Sequence, residues 1–112
     1  MRYLLLISAD ESRVDEHRTD DGMSEFRDWL DDLLARGVLT AHEGLHPSHT
    51  ATTVRVRGDE VLLTDGPFTE SKDQIGGFAL IEVADLDAAI EIAARHPASR
   101  FGQIEIRPVL TL

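Results

Sequence analysis

Asp65, Thr69, Glu70, Ser71 and Lys72 crowd around one aromatic, Phe68, in the polar run Thr64–Gly77, which three glycines and a proline punctuate. Carboxylates beside an ammonium and two hydroxyls can hold a small polar molecule or move a proton. Asp65, Phe68, Thr69, Glu70 and Lys72 are therefore candidate ligand contacts, and Asp65 is a candidate proton carrier. The same run also has a purely architectural reading. Pro67 presets a turn, Gly66 suits the restricted position before proline, and Asp65 can bond backbone amides of its own turn. A polar loop this long inside a small domain is where binding residues tend to lie.

Further candidates come near the C-terminus. Gln103, Glu105 and Arg107 alternate, so they share one face of a strand. Arg107 suits a carboxylate or enolate and Glu105 a proton, while an ordinary ion pair between the two is the plainer reading. His96 ends a helical pattern, where it serves either as a cation on the terminal carbonyls or as an acid–base group. His42-Glu43-Gly44-Leu45-His46 spells H-E-x-x-H, but zinc peptidase chemistry needs that string on a helix. Gly44, the following Pro47 and the strand-like Val38–Ala41 oppose a helix there. With His49 nearby, adventitious nickel or zinc binding is the most the string offers, and neither a metal nor a cofactor is expected. Neither a Ser/His/Asp nucleophile pattern nor a glycine-rich phosphate loop can be assembled.

The elements that position these residues follow from periodicity. Arg2–Ser8 is a continuous apolar run, as in a strand buried on both faces. Ala9–Gly22 is an aperiodic acidic connection. Met23, Phe26, Trp29, Leu30, Leu33 and Leu34 then form a helical stripe, capped by Asp20, Asp21 or Ser24 and ended by Gly37. Val38–Glu43 is a short strand. Thr52–Arg57 and Glu60–Thr64 flank Gly58-Asp59 as a hairpin. Gly77–Val83 is a strand, Asp85 caps a second helix with the stripe Leu86, Ala89, Ile90 and Ala93, and Gly102–Val109 alternates as the last strand. Two strand–helix–strand units joined through a hairpin predict a ferredoxin-like α+β sandwich, one domain over residues 1–112, with both helices on one sheet face. The uncovered face predicts a two-fold homodimer with sheets packed together, its edge lined by Gln103, Glu105 and Arg107, with Arg55 and Arg57.

Composition narrows the function classes. The 112 residues carry 21 acidic against 11 basic side chains, a net charge of −10, and Lys72 is the sole lysine. Without a basic cluster, such a surface repels nucleic acid. The longest apolar run, Tyr3–Ile7, is far short of the roughly 20 residues a membrane helix needs. The absence of cysteine fits a reducing cytoplasm.

The run Asp65-Gly66-Pro67-Phe68, continued by Thr69-Glu70-Ser71-Lys72-Asp73-Gln74-Ile75-Gly76-Gly77-Phe78, closely resembles the signature of DGPF-domain proteins in the YCII-related superfamily. The likeness extends through Glu43-Gly44-Leu45, Thr52-Thr53-Val54-Arg55, Asp85-Leu86-Asp87-Ala88-Ala89 and Ile104-Glu105-Ile106-Arg107-Pro108, covering Arg2 to Val109. The resemblance implies a ferredoxin-like subunit and a dimeric α+β barrel. Some relatives in the wider superfamily have a His–Asp pair in an interior cleft, as in acid–base enzymes; those positions fall here near Phe26 and near His96, so the pair itself does not carry over. Other members accompany alternative sigma factors, which implies a regulatory or ligand-sensing role.

These readings converge on a cytoplasmic homodimer binding a small molecule between the polar sheet face and the 65–77 loop. Two alternatives stand beside it. One is a small proton-transfer enzyme (isomerase, dehydratase or lyase) acting on a carbonyl compound, with Asp65, His96 or Glu105 carrying the proton. The other is a protein-interaction module linked to transcription.

Overall fold

The computed structural model describes residues 1–112 and has six strands and two α-helices. Strands β1 (Arg2–Asp10), β2 (Leu39–Gly44), β5 (Asp73–Glu82) and β6 (Gln103–Pro108) form one sheet in the order β2-β5-β1-β6, every neighbouring pair antiparallel. Helix α1 (Asp20–Ala35) connects β1 to β2, and α2 (Leu86–Arg95) connects β5 to β6. This is the ferredoxin-like arrangement expected from the two strand–helix–strand units. Strands β3 (Thr52–Arg57) and β4 (Glu60–Asp65) stand apart as a two-stranded hairpin inserted between β2 and β5. No helix is long and apolar enough to cross a membrane.

The core lies between the helices and one sheet face. Tyr3 and Leu5 of β1 and Ala79 and Ile81 of β5 meet Trp29 and Leu33 of α1 and Ala89 and Ile92 of α2, all buried. Burial of apolar area at about 25 cal/mol per Å² supplies the drive. One hydrogen bond fixes the helices to each other: the Trp29 indole N–H donates to the Ile92 carbonyl at 2.9 Å. That carbonyl is among the last four of α2, which have no partner within the helix.

Several boundaries differ from the periodicity reading, each for a local reason. Thr19, not Asp20, Asp21 or Ser24, caps α1, its hydroxyl accepting from the Gly22 N–H at 3.1 Å. The connection after β1 is partly ordered as a 3-10 turn over Glu11–Glu16, started by Asp10. β5 begins at Asp73, because the polar Asp73 and Gln74 pair with Asp10 and Ala9 of β1. The buried stripe of α2 is Ala89, Ile92 and Ala93, whereas Leu86 and Ile90 are nearly half exposed. On α1, Leu34 likewise faces water at 59% exposure.

Gly77 is required by close approach: a Cβ there would lie 2.9 Å from the Glu43 carbonyl oxygen across β2. Beside it the register with β1 shifts between Ile7 and Ser8, the signature of a bulge that bends the strand. The shift puts Ser8 opposite Ile75, so Ile75, Phe78 and Leu80 share the helix-free face with Leu4, Leu6, Gln103, Glu105 and Arg107.

Candidate functional site

The signature loop reduces to Gly66–Lys72 and is held chiefly by its own polar groups. Gly66 has a φ of 104°, in the region that glycine tolerates. Its N–H donates to the Ala51 carbonyl at 2.7 Å, and the Thr53 hydroxyl donates to its carbonyl at 2.9 Å, closing the base of the hairpin. At the other end the Gln74 amide donates to the carbonyls of Thr69 and Ser71. Lys72 lies 3.8 Å from the Asp10 carboxylate. That carboxyl is held below its usual pKa chiefly by the Ser12 hydroxyl at 2.7 Å, helped by the Ser12 N–H and by Lys72.

The loop side chains divide between two depressions. Asp65, Glu70 and Lys72 line an open, polar hollow of about 470 Å³ with Asp10, Glu11 and His49. Pro67, Phe68 and Thr69 line a larger cleft of about 670 Å³, which brings them to Ser8, Ile75 and Gln103 at the end of the helix-free sheet face. Phe68 is 79% exposed, with the Arg55 guanidinium 5.9 Å from its ring centre. Glu105 and Arg107 do not join this cleft and pair with each other at 3.2 Å. Of the expected sheet-face row, the structure therefore brings only Gln103 to the loop. Arg55 and Arg57 stand on the separate hairpin, not along that row.

The H-E-x-x-H string lies on β2 and the loop after it, and its histidines diverge. His42 lines a cavity beneath the helices, His46 the loop cleft, and His49 the polar hollow.

Of the two readings given to His96, the helix-end cation does not fit its environment. It is 94% buried, from an exposure of 6%. Burial pushes its pKa down to about 4, so it is neutral at pH 7. Other groups satisfy the end of α2: the Trp29 indole at the Ile92 carbonyl, the His96 backbone N–H at Ala93, and the Ser99 hydroxyl at Ala94. Instead, Nδ1 of His96 accepts the Ala98 N–H at 2.9 Å, starting the 3-10 turn Pro97–Arg100. A neutral imidazole that accepts at Nδ1 carries its proton on Nε2. No protein group bonds Nε2, yet no buried side-chain nitrogen lacks a partner. Nε2–H therefore opens to the hollows that His96 lines.

One of them holds about 200 Å³ and is bounded by Phe26, Trp29, Leu30, Ile7, Ala79, His42 and His96. Trp29 stands edge-on to His96 at 4.7 Å between ring centres, and Phe26 is 5.6 Å away. His42 pairs opposite Ala79, on the helix-facing side. A second hollow, of about 470 Å³, shares the Phe26 and His96 walls and is flanked by the stacked rings of His17 and Phe101, 3.7 Å apart. A hydrogen-bond donor fixed in one tautomer within an aromatic, low-dielectric wall can stabilise a carbonyl oxygen that gains charge. Asp65, Glu105 and His96 thus lie at three separate places. The pocket's Phe26, Trp29 and His42 were not among the expected site residues, although Ala89, Ile92, Ala93 and His96 repeat at helical spacing and mark His96 as continuing the buried stripe.

The chain belongs to the YCII-related domain family, whose model matches residues 1–112. An uncharacterized protein of Rhizobium meliloti (strain 1021) is 32% identical over 116 residues, spanning 97% of this chain and 92% of that relative. Among solved structures, 5-chloro-2-hydroxyhydroquinone dehydrochlorinase from Burkholderia phenoliruptrix AC1100, in complex with 2,5-dihydroxybenzoquinone, superposes with a TM-score of 0.59 at 14% identity, over 98% of this chain and 94% of that one. That likeness is one of fold.

Proposed function

We propose that this chain is a cytoplasmic homodimer that binds a small, flat, oxygen-bearing molecule in the pocket beneath its helices and carries out proton-transfer chemistry on it. The observation that carries this reading is the His96 Nε2–H, held neutral and unpaired at the wall of an aromatic cavity. In this role His96 donates to the substrate oxygen as negative charge develops there, with Trp29 and Phe26 as the apolar wall beside it. His42, on the same pocket wall, is the side chain placed to accept a carbon-bound proton. A solved protein of the same fold is a dehydrochlorinase seen with a dihydroxybenzoquinone, a flat ring of the chemical class this pocket suits. Calorimetric titration with 2,5-dihydroxybenzoquinone tests the reading. Saturable heat in the parent protein, lost in His96→Asn and Phe26→Ala, supports it; no saturable heat in the folded parent sinks it.

A second reading keeps the ligand at the signature loop. It is favoured by the 670 Å³ cleft that joins Phe68 and Thr69 to Ser8 and Gln103. Here Phe68 stacks on the ligand and Gln103 bonds it, while Lys72, Asp65 and Glu70 supply charge from the neighbouring hollow. Calorimetry separates the two: under this reading Phe68→Ala abolishes binding of the same ring compound and Phe26→Ala leaves it intact.

A further inference from the structure

The chain buries two polar side chains, His96 at 6% exposure and Ser8 at 8%, and only the first has been given a task. Ser8 lies at the end of the helix-free sheet face, opposite Ile75 on β5 and Gln103 on β6. No protein group bonds its hydroxyl, yet no buried side-chain oxygen lacks a partner. The hydroxyl therefore reaches a surface, and Ser8 lines the loop cleft of about 670 Å³. A hydroxyl held this deep, with only a cleft to bond, is placed to be completed by a guest.

The rest of the cleft has the make-up of a small-molecule site, apolar walls with a few convergent polar groups. Leu45, Phe68 and Ile75 form the walls, exposed by 51%, 79% and 45%. Gln103, across the strand pair from Ser8, ends in an amide that bonds no protein group. Gln74 commits its amide nitrogen to the Thr69 and Ser71 carbonyls and keeps its oxygen free. Asp73 and His46 are the only titratable side chains on the lining. Lys72 faces the neighbouring hollow instead. Arg55, on the arm that β3 and β4 form, stands 5.9 Å from the Phe68 ring centre without lining the cleft. With Asp73 on the wall and a net charge of −10, an anion gains nothing here.

We propose that this cleft is a second ligand site, separate from the pocket beneath the helices, and that it takes an uncharged planar lactam, a ring whose N–H stands beside a C=O. A primary amide shows the same two groups side by side. Gln103 can therefore donate to the lactam oxygen and accept from its N–H at once, the bidentate match by which glutamine reads adenine. The Ser8 hydroxyl offers the ring a further donor or acceptor, and the exposed Phe68 stacks on its face. The inference rests on the cleft reading given second above for its place alone; the ligand class and its independence of the helix pocket are new.

Calorimetric titration of the full chain with uracil, a simple ring of this class, tests it. Saturable heat is expected, with 1,3-dimethyluracil, the same ring without N–H, at least about 10-fold weaker. Gln103→Ala and Ser8→Ala should each weaken uracil binding by about 10-fold while keeping the parent's near-ultraviolet circular dichroism, and Phe26→Ala should leave it unchanged. No saturable heat at millimolar uracil, equal affinity for the dimethylated ring, or loss in Phe26→Ala alone overturns the proposal. The two readings fail separately. Quinone binding abolished by Phe68→Ala in a parent that takes no uracil sinks the lactam site and keeps the earlier reading; uracil binding without quinone binding does the reverse.

Discussion

The space beneath the helices and the arm are built from the same kinds of residue and end in opposite states. Leu5, Ile81 and Ile92 are fully enclosed, and every buried polar side-chain atom around them has a partner. Val54, Val56, Val61 and Leu63 alternate just as regularly yet face water on a ribbon with no second layer. Alternation therefore specifies that a strand has an apolar face, but not what covers it. In the body the cover is α1 and α2, tied by Trp29 to Ile92; on the arm the chain itself supplies none.

The contrast can be broken first at its strongest point. Leu5→Ala, at a fully enclosed site, should cost about 3–4 kcal/mol of unfolding free energy by chemical denaturation. The equivalent Leu63→Ala, read at concentrations where the chain is monomeric, should cost no more than about 0.5 kcal/mol. Comparable losses would mean that the arm is part of the core.

Acid sharpens the comparison next. The folded pKa of His96 is depressed to about 4 from 6.5, so the unfolded chain binds this proton more readily. The neutral form's contribution is complete above pH 6.5 and is lost as pH falls toward 4, amounting to about 3 kcal/mol over that window. His96→Asn, which keeps an acceptor for the Ala98 N–H, should flatten that part of the stability profile. An unchanged profile would place the acid sensitivity elsewhere.

Smaller effects follow. Trp29→Phe keeps a ring in place but strands the Ile92 carbonyl, and should cost about 1–2 kcal/mol in the same denaturation measurement. Lys72→Ala removes an exposed partner 3.8 Å from Asp10 and should move stability by less than about 0.5 kcal/mol. A larger loss there would show that the signature loop is tied to the body more firmly than one exposed ion pair allows.

Much of the architecture was legible because burial writes itself into spacing. Ile104 and Ile106 against Gln103, Glu105 and Arg107 gave β6 its two faces, and Phe26, Trp29, Leu30 and Leu33 gave α1 its inner stripe. Thr19 was hidden among acids equally suited to cap a helix. The start of β5 was hidden because Asp73 and Gln74 owe their strand geometry to Asp10 and Ala9, far away in sequence. The site was harder still. A polar loop advertises itself through Asp65, Glu70 and Lys72, whereas His96 stood as a proton carrier only beside its plainer helix-end reading and His42 read as part of a failed zinc motif. Only the fold places those two imidazoles on the walls of one cavity.

The chain contains a single tryptophan, and it stands edge-on to His96 at 4.7 Å. Excited indole loses emission to a neighbouring imidazolium far more than to a neutral imidazole. The protein therefore carries an optical gauge of one proton. While the fold persists, its fluorescence should stay level from pH 8 down to about 5, then dim as His96 charges near pH 4. Because the same indole N–H holds the end of α2, a shift in emission colour would report that helix parting from α1.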